Sequence, residues 1–276
     1  MNRTPVVFIH GAWLDALSWE AWAERFARRG FLAFPPGGPG EDSASLRVRA
    51  FPERPEDAGL GALRDHYAAI VRSFDVAPVI IGHSVGGLIA QHLIGADLGR
   101  AAVAIASLPV DGVPMPASVR PLWTPDGAER LVSLSAEQFH RVFANTVERR
   151  ESDRLHERYA VPVARRLLAD LPAVGEGGEP LTPADLATTG RGPLLLISGQ
   201  EDRLVPDSVT RSVYKAYGDS TAVTELKQFA DRGHSLVIDS GWRFVADYVL
   251  GWLDAHGVRA LPDGSRTHDD RRTGTR

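Results

Sequence analysis

The chain predicts an α/β fold, with a mainly parallel sheet covered by helices on both faces. Three observations lead there. Short continuous apolar runs alternate with amphipathic helical patterns along the chain. Continuous apolar runs suit parallel strands buried on both faces, and β-α repeats imply right-handed crossovers. The residues with chemical promise fall just after the apolar runs, at the strand ends where such folds bind ligands.

Val6-Val7-Phe8-Ile9 is the first buried strand. A helix follows, with Trp19, Trp22, Ala23 and Phe26 on one face and Gly30 as its stop. Phe31 to Phe34 reads as the next strand, ended by the irregular loop Pro35-Pro36-Gly37-Gly38-Pro39-Gly40. Leu63, Tyr67, Ile70, Val71 and Phe74 mark a second amphipathic helix. Val79-Ile80-Ile81 is a strand, and Val85, Leu88, Ile89 and Leu93 belong to the helix after it. Ala101 to Ala106 and Leu194 to Ile197 are further strands. A helix starting near Asp207 carries Val209, Val213 and Ala216 and stops at Gly218. Thr224 to Phe229 is the last strand. The closing helix carries Trp242, Val245, Val249, Trp252 and Leu253, with Gly257 as its cap.

One connection is far longer than the usual few-residue loop. Roughly eighty residues separate the strand ending near Ser107 from the one starting at Leu194. Ser135-Ala136-Glu137-Gln138 fits a capping box, followed by Phe139, Val142 and Phe143. Thr182-Pro183-Ala184-Asp185 is another helix start. The segment 112–190 is therefore expected to be a helical cap over the active edge of a core formed by 1–111 and 191–257. The alternative is an elaboration with no role at the site. Residues 258–276 are polar, rich in Arg and Asp, and expected to be a flexible tail.

Composition narrows the function. In 276 residues, a net charge of -4 gives no push toward nucleic acid or anionic membrane. There is no cysteine, so disulfides, thiolate catalysis and cysteine metal sites are excluded together. No apolar run is long enough to span a bilayer, and no signal-like core precedes the first strand. A cytoplasmic protein is expected, as monomer or homodimer. Gly37-Gly38-Pro39-Gly40 lacks the lysine of a phosphate-binding loop, and the histidines form no metal-ligand pattern, so neither cofactor nor metal is expected.

Gly82-His83-Ser84-Val85-Gly86-Gly87 carries the chemistry. A serine between small residues at a strand-to-helix turn is a nucleophile elbow, whose strained turn presents an exposed Oγ at a helix N-terminus. A serine hydroxyl needs a general base, and the base needs an orienting acid. His234 follows the last strand within Asp231-Arg232-Gly233-His234-Ser235, and Asp202 follows an apolar strand within Ser198-Gly199-Gln200-Glu201-Asp202. The chain order Ser, Asp, His suits this elbow. Asp111 is a second candidate acid, and Glu201 and Asp207 are neighbours easily mistaken for it. The oxyanion needs two donors. Val85 N–H is one, and Ala12 N–H, in His10-Gly11-Ala12-Trp13 after the first strand, is the other. His10 and His83 are expected to brace loops. Trp13, Phe139 and Phe143, with Leu131 and Leu134, are candidate pocket residues or simple core.

These motifs, in this order, resemble the α/β-hydrolase family from Val6 to about Gly257. The resemblance implies a three-layer α/β-hydrolase fold that enters at the family's third strand and lacks the first two. In this it is similar to the methylesterase and hydroxynitrile lyase branch. Members with dehalogenase or epoxide hydrolase activity use an aspartate nucleophile, where this chain has Ser84. Hydroxynitrile lyases place a lysine after the catalytic histidine, where this chain has Ser235. The expected activity is hydrolysis of a small hydrophobic carboxylic ester or lactone through an acyl-enzyme. The same triad also serves C–C bond hydrolysis, cyclisation and cofactor-free perhydrolysis, and some relatives only bind ligands.

Overall fold

The structure is a computed structural model and describes residues 3–39, 58–123, 127–171, 186–218 and 220–260. Its core alternates strand and helix as β1 (Pro5–Ile9), α1 (Glu20–Arg28), β2 (Leu32–Phe34), α2 (Leu60–Arg72), β3 (Val79–His83), α3 (Val85–Gly95) and β4 (Ala101–Ile105). The long connection contributes α4 (Arg120–Trp123), β5 (Leu131–Val132), α5 (Ala136–Gln138), α6 (Arg149–Tyr159), β6 (Val163–Ala164) and α7 (Arg165–Asp170). The core resumes with β7 (Leu194–Gly199), α8 (Asp207–Ala216), β8 (Thr224–Phe229) and α9 (Trp242–Ala255).

Six strands form one sheet in the order β2-β1-β3-β4-β7-β8, and every pairing is parallel. With right-handed crossovers, the leftward step from β1 to β2 puts α1 on one face. The rightward steps put α2, α3 and α8 on the other. Trp22 of α1 meets Trp242 of α9 at 6.4 Å between ring centroids, so α9 shares the face of α1. β1, β3 and β4 are buried at every position, as their continuous apolar runs require. β8 is only half-buried and mostly polar (Thr224, Glu225, Lys227 and Gln228), as suits an edge strand.

The described residues of the connection between β4 and β7 form secondary structure rather than plain loop. β5 and β6 pair antiparallel within it, Leu131 with Ala164 and Val132 with Val163. The Ser135 capping box is present in full. The helix it opens is one α turn, however, and then widens into a π turn over Phe139–Phe143. The wider turn stacks Phe139 on Phe143, with ring centroids 4.6 Å apart. The helix start expected at Thr182–Asp185 lies outside the described residues, as do 261–276.

Candidate active site

The strand order reverses between β1 and β3. From β1 the chain turns back toward β2, and from β3 it runs on toward β4. Loops leaving the two strands diverge there and open a crevice at the carboxyl edge. Because all six strands are parallel, the loops after β1, β3, β7 and β8 share that edge.

Ser84 sits at the tip of β3 with φ 58° and ψ -118°, a conformation that costs a non-glycine residue about 1–3 kcal/mol. The surroundings hold it there. Its N–H donates to the Ile105 carbonyl at 2.9 Å, and its carbonyl accepts from Gly87 N–H at 3.0 Å and Leu88 N–H at 3.2 Å. A β-carbon on Gly82 would stand 1.9 Å from the Gly86 oxygen, and one on Gly86 would stand 2.2 Å from the Ile9 oxygen. Only glycine fits at either position. The turn delivers Ser84 to the N-terminus of α3, where unpaired N–H groups favour negative charge.

His234 Nδ1 lies 2.7 Å from Asp202 Oδ2, with both residues buried. A carboxylate only accepts, so the proton is on Nδ1 and the Nε2 lone pair is left for other work. The other oxygen of Asp202 accepts from Leu204 N–H and Val205 N–H, each at 2.8 Å, which fixes the carboxylate in its turn. Asp111 takes no part: its Oδ2 is buried without a partner. Asp207 is committed elsewhere, accepting from Ser198 Oγ at 2.5 Å and Gln228 Nε2 at 2.7 Å. Glu201 contributes its backbone, with its N–H donating to the Arg232 carbonyl at 3.0 Å. That bond joins the loop of Asp202 to the loop of His234.

Ser84 Oγ and His234 Nε2 are each buried and without a hydrogen-bond partner, so the two are not bonded to each other. The expected exposed Oγ is corrected here, because residues after β4 pack over the turn. Phe143 stands edge-on to His234 at 4.9 Å between centroids. Asn145 Nδ2 donates to the Glu201 carbonyl at 2.9 Å, and Thr146 Oγ1 accepts from Gly233 N–H at 3.2 Å. The long connection thus grips both the acid loop and the base loop. Neither Asn145 nor Thr146 carried a sequence signal, since a polar pair between helices is ordinary.

His83 is fully buried, with its ring 4.6 Å from that of His234. Its Nε2 is 2.9 Å from the His234 carbonyl and must therefore donate. Burial, and then the neighbouring His234, push its pKa well below 6.5, so it is neutral. Behind the base, Ser235 Oγ donates to buried Asp239 at 2.9 Å, and burial raises the pKa of that acid.

The loop after β1 closes on the same turn. A β-carbon on Gly11 would lie 2.7 Å from Ser84 Cβ and 3.0 Å from His83 Nδ1, so glycine lets the two loops touch. Ala12 follows it, buried. Val85 is the first residue of α3, and its N–H has no acceptor within the helix. Beyond Ala12 a cavity of about 100 Å³ is lined by Ala12, Trp13, Leu14, Leu63, Leu131 and Val163 among others. Trp13 lines this cavity, and Phe139 and Phe143 lie elsewhere. Phe143 packs on the His83 and His234 rings, with Phe139 stacked behind it. His10 Nδ1 lies 3.0 Å from the Gly11 carbonyl. Among the described residues no group of His, Asp or Glu is placed to hold a metal ion. No helix among them is long and apolar enough to cross a membrane.

Comparison with known proteins places this fold. The model of the alpha/beta hydrolase family matches residues 6–248. A methylesterase from Arabidopsis is similar in structure at 15% identity and TM-score 0.65, covering 91% of this chain and 99% of that one. A pyrethroid hydrolase from Sphingobium faniae is similar at 16% identity and TM-score 0.62, covering 91% and 98%. A monoacylglycerol lipase from Paleococcus ferrophilus is similar at 17% identity and TM-score 0.65, covering 91% and 94%. No curated protein matches the sequence.

Proposed function

Because the chain belongs to the alpha/beta hydrolase family, we propose that it hydrolyses small hydrophobic carboxylic esters or lactones through an acyl-enzyme on Ser84. The observation that carries this reading is the buried His234–Asp202 pair, 2.7 Å apart, whose base lies beside the strained Ser84 turn. Ser84 Oγ attacks the carbonyl carbon, and its proton passes to His234 Nε2. The N–H groups of Ala12 and Val85 hold the oxyanion. Asp202 holds the tautomer and offsets the imidazolium charge. His234 gives the proton to the leaving oxygen as the C–O bond breaks, and the alcohol departs. Water then attacks the acyl-enzyme, its proton goes to His234 and returns to Ser84 Oγ, and the acid leaves.

In this reading residues 112–190 are a cap. The grip of Asn145 and Thr146 on the two catalytic loops supports it. Substrate approaches along the cavity beside Ala12 and Trp13, whose lining contains no Asp, Glu, Lys or Arg. An uncharged acyl or alkoxy group suits such a lining.

The test is fluorophosphonate labelling read by peptide mass spectrometry, with Ser84→Ala beside the wild type. The expected adduct is on Ser84 and is lost in the variant. A folded protein that takes no adduct and turns over no ester or lactone would sink the reading and leave ligand binding in its place.

A further inference from the structure

Trp13 lines the cavity beside β1 and carries a buried polar group for which the proposed chemistry has no use. Trp13 combines two unfavourable features and adjoins the nucleophile's neighbour Ala12. Its φ is 61°, the left-handed region that a bulky residue rarely adopts. Its indole Nε1 is buried with no hydrogen-bond partner. The ring cannot easily turn away, because it lies against Trp123 at 5.2 Å between centroids. Its backbone is held too, with the carbonyl accepting from Val161 N–H at 3.1 Å.

Other indoles show what a merely structural position looks like. Trp22 Nε1 donates to the Val237 carbonyl at 2.9 Å, and Trp123 Nε1 to the Leu204 carbonyl at 3.2 Å. Trp19 Nε1 also lacks a partner, but Trp19 does not line the cavity. Trp13 alone among the cavity's lining residues joins an orphan N–H with a strained backbone. Buried orphan donors and strained residues persist where the surroundings enforce them, and they gather at ligand sites.

We propose that Trp13 Nε1–H donates a hydrogen bond to the substrate, so the cavity selects an uncharged, mainly apolar group bearing one acceptor oxygen, such as an ether or a carbonyl. This rests on the esterase reading above and names the substrate class within it. The selectivity follows from the orphan donor. A substrate with a well-placed oxygen satisfies the N–H, and an all-carbon one leaves it unpaired in a dry site. The lining holds no lysine or arginine, and its one titratable side chain, His10, carries no permanent charge, so a carboxylate in this position would lack a permanent counter-charge.

The test compares p-nitrophenyl heptanoate with its 4-, 5- and 6-oxa analogues on the wild type and on Trp13→Phe, which keeps an aromatic ring and removes the donor. In the wild type at least one oxa ester should exceed heptanoate in kcat/KM by about tenfold. In Trp13→Phe that ratio should fall toward one. A second readout needs no variant at position 13. In Ser84→Ala protein carrying 15N-labelled tryptophan, the preferred oxa ester should move one indole N–H resonance downfield, and heptanoate should not. A wild type that turns over all four esters without preference overturns this inference and leaves the esterase reading standing. So does a preference that survives in Trp13→Phe. No turnover of any ester, with no adduct on Ser84, removes both.

Discussion

At position 83 the neighbours of an imidazole settle its protonation. Nε2–H is engaged by the His234 carbonyl at 2.9 Å, and burial beside a second imidazole disfavours a charge. A cation there would oppose the imidazolium that the proposed mechanism forms on His234. His83 is thus a positioning residue: it holds the His234 backbone and stays neutral. Replacing it with leucine removes the donor, and kcat should fall about 10- to 100-fold with little change in KM. Glutamine restores an N–H, so His83→Gln should recover part of the loss, as steady-state kinetics of the two variants would show. Equal losses would argue for bulk packing alone. Asp202 has a sharper signature. Asp202→Asn can still accept from Leu204 and Val205 but presents the wrong partner to Nδ1. Its kcat should fall by about 10³-fold or more, while its unfolding free energy from urea denaturation stays within about 1 kcal/mol of wild type.

The β3–α3 element is sterically saturated. With backbone oxygens 1.9 Å and 2.2 Å from where β-carbons would stand, Gly82→Ala or Gly86→Ala must open the contact of α3 with β1 and β3. Each should cost about 3 kcal/mol or more, measured by denaturant unfolding. An unfolding curve like the wild type's for either variant would show the turn to be softer than this geometry. The same helix carries an acid-sensitive group. His92 is buried, and burial, reinforced by Arg64, lowers its pKa to about 4. Between about 6.5 and about 4 the unfolded chain holds a proton there that the folded chain does not. The unfolded state binds more protons, so stability rises with pH across this window and is lost on acidification. His83 is shifted the same way and adds to the slope. His92→Gln should flatten a plot of melting temperature against pH between 6.5 and 4, and an unchanged slope would remove His92 as its source.

Across the whole molecule, the connection between β4 and β7 reaches over the sheet edge to hold two loops that come from different strands. The bonds of Asn145 and Thr146 help couple it to the site, beside the Trp123 bond to the Leu204 carbonyl and the packing of Phe143 on His234. The pair of substitutions Asn145→Ala and Thr146→Val should lower kcat about tenfold through looser positioning of His234 and Asp202. The melting temperature should change by only a few degrees, because both bonds are peripheral to the core. Loss of thermal stability without loss of kcat would make this segment a structural elaboration. The exposed pairing of Arg158 with Glu20 also joins it to α1, but an exposed ion pair contributes roughly 0–1 kcal/mol.

Much of this was legible in the residues because it depends on local rules. Strands buried on both faces must be apolar without interruption, so β1, β3, β4 and β7 announced themselves. A strained serine turn packed against two strands tolerates only glycine at 82 and 86, so the elbow was written in one short stretch. The sequence order of Ser84, Asp202 and His234 pointed to the pair that geometry joins. The rest arises from contacts between segments distant along the chain, for which local pattern carries no signal. Asp202 rather than Asp111 meets His234 because the Arg232 carbonyl ties one loop to the other. Phe143 meets the His234 ring, with Phe139 stacked on it, from a π turn that no residue pattern announced. Burial of the nucleophile, the grip of Asn145 and Thr146, and the unpaired indole of Trp13 each depend on how the long connection folds back. Packing of one surface on another made those choices, and no periodicity within either surface could have made them.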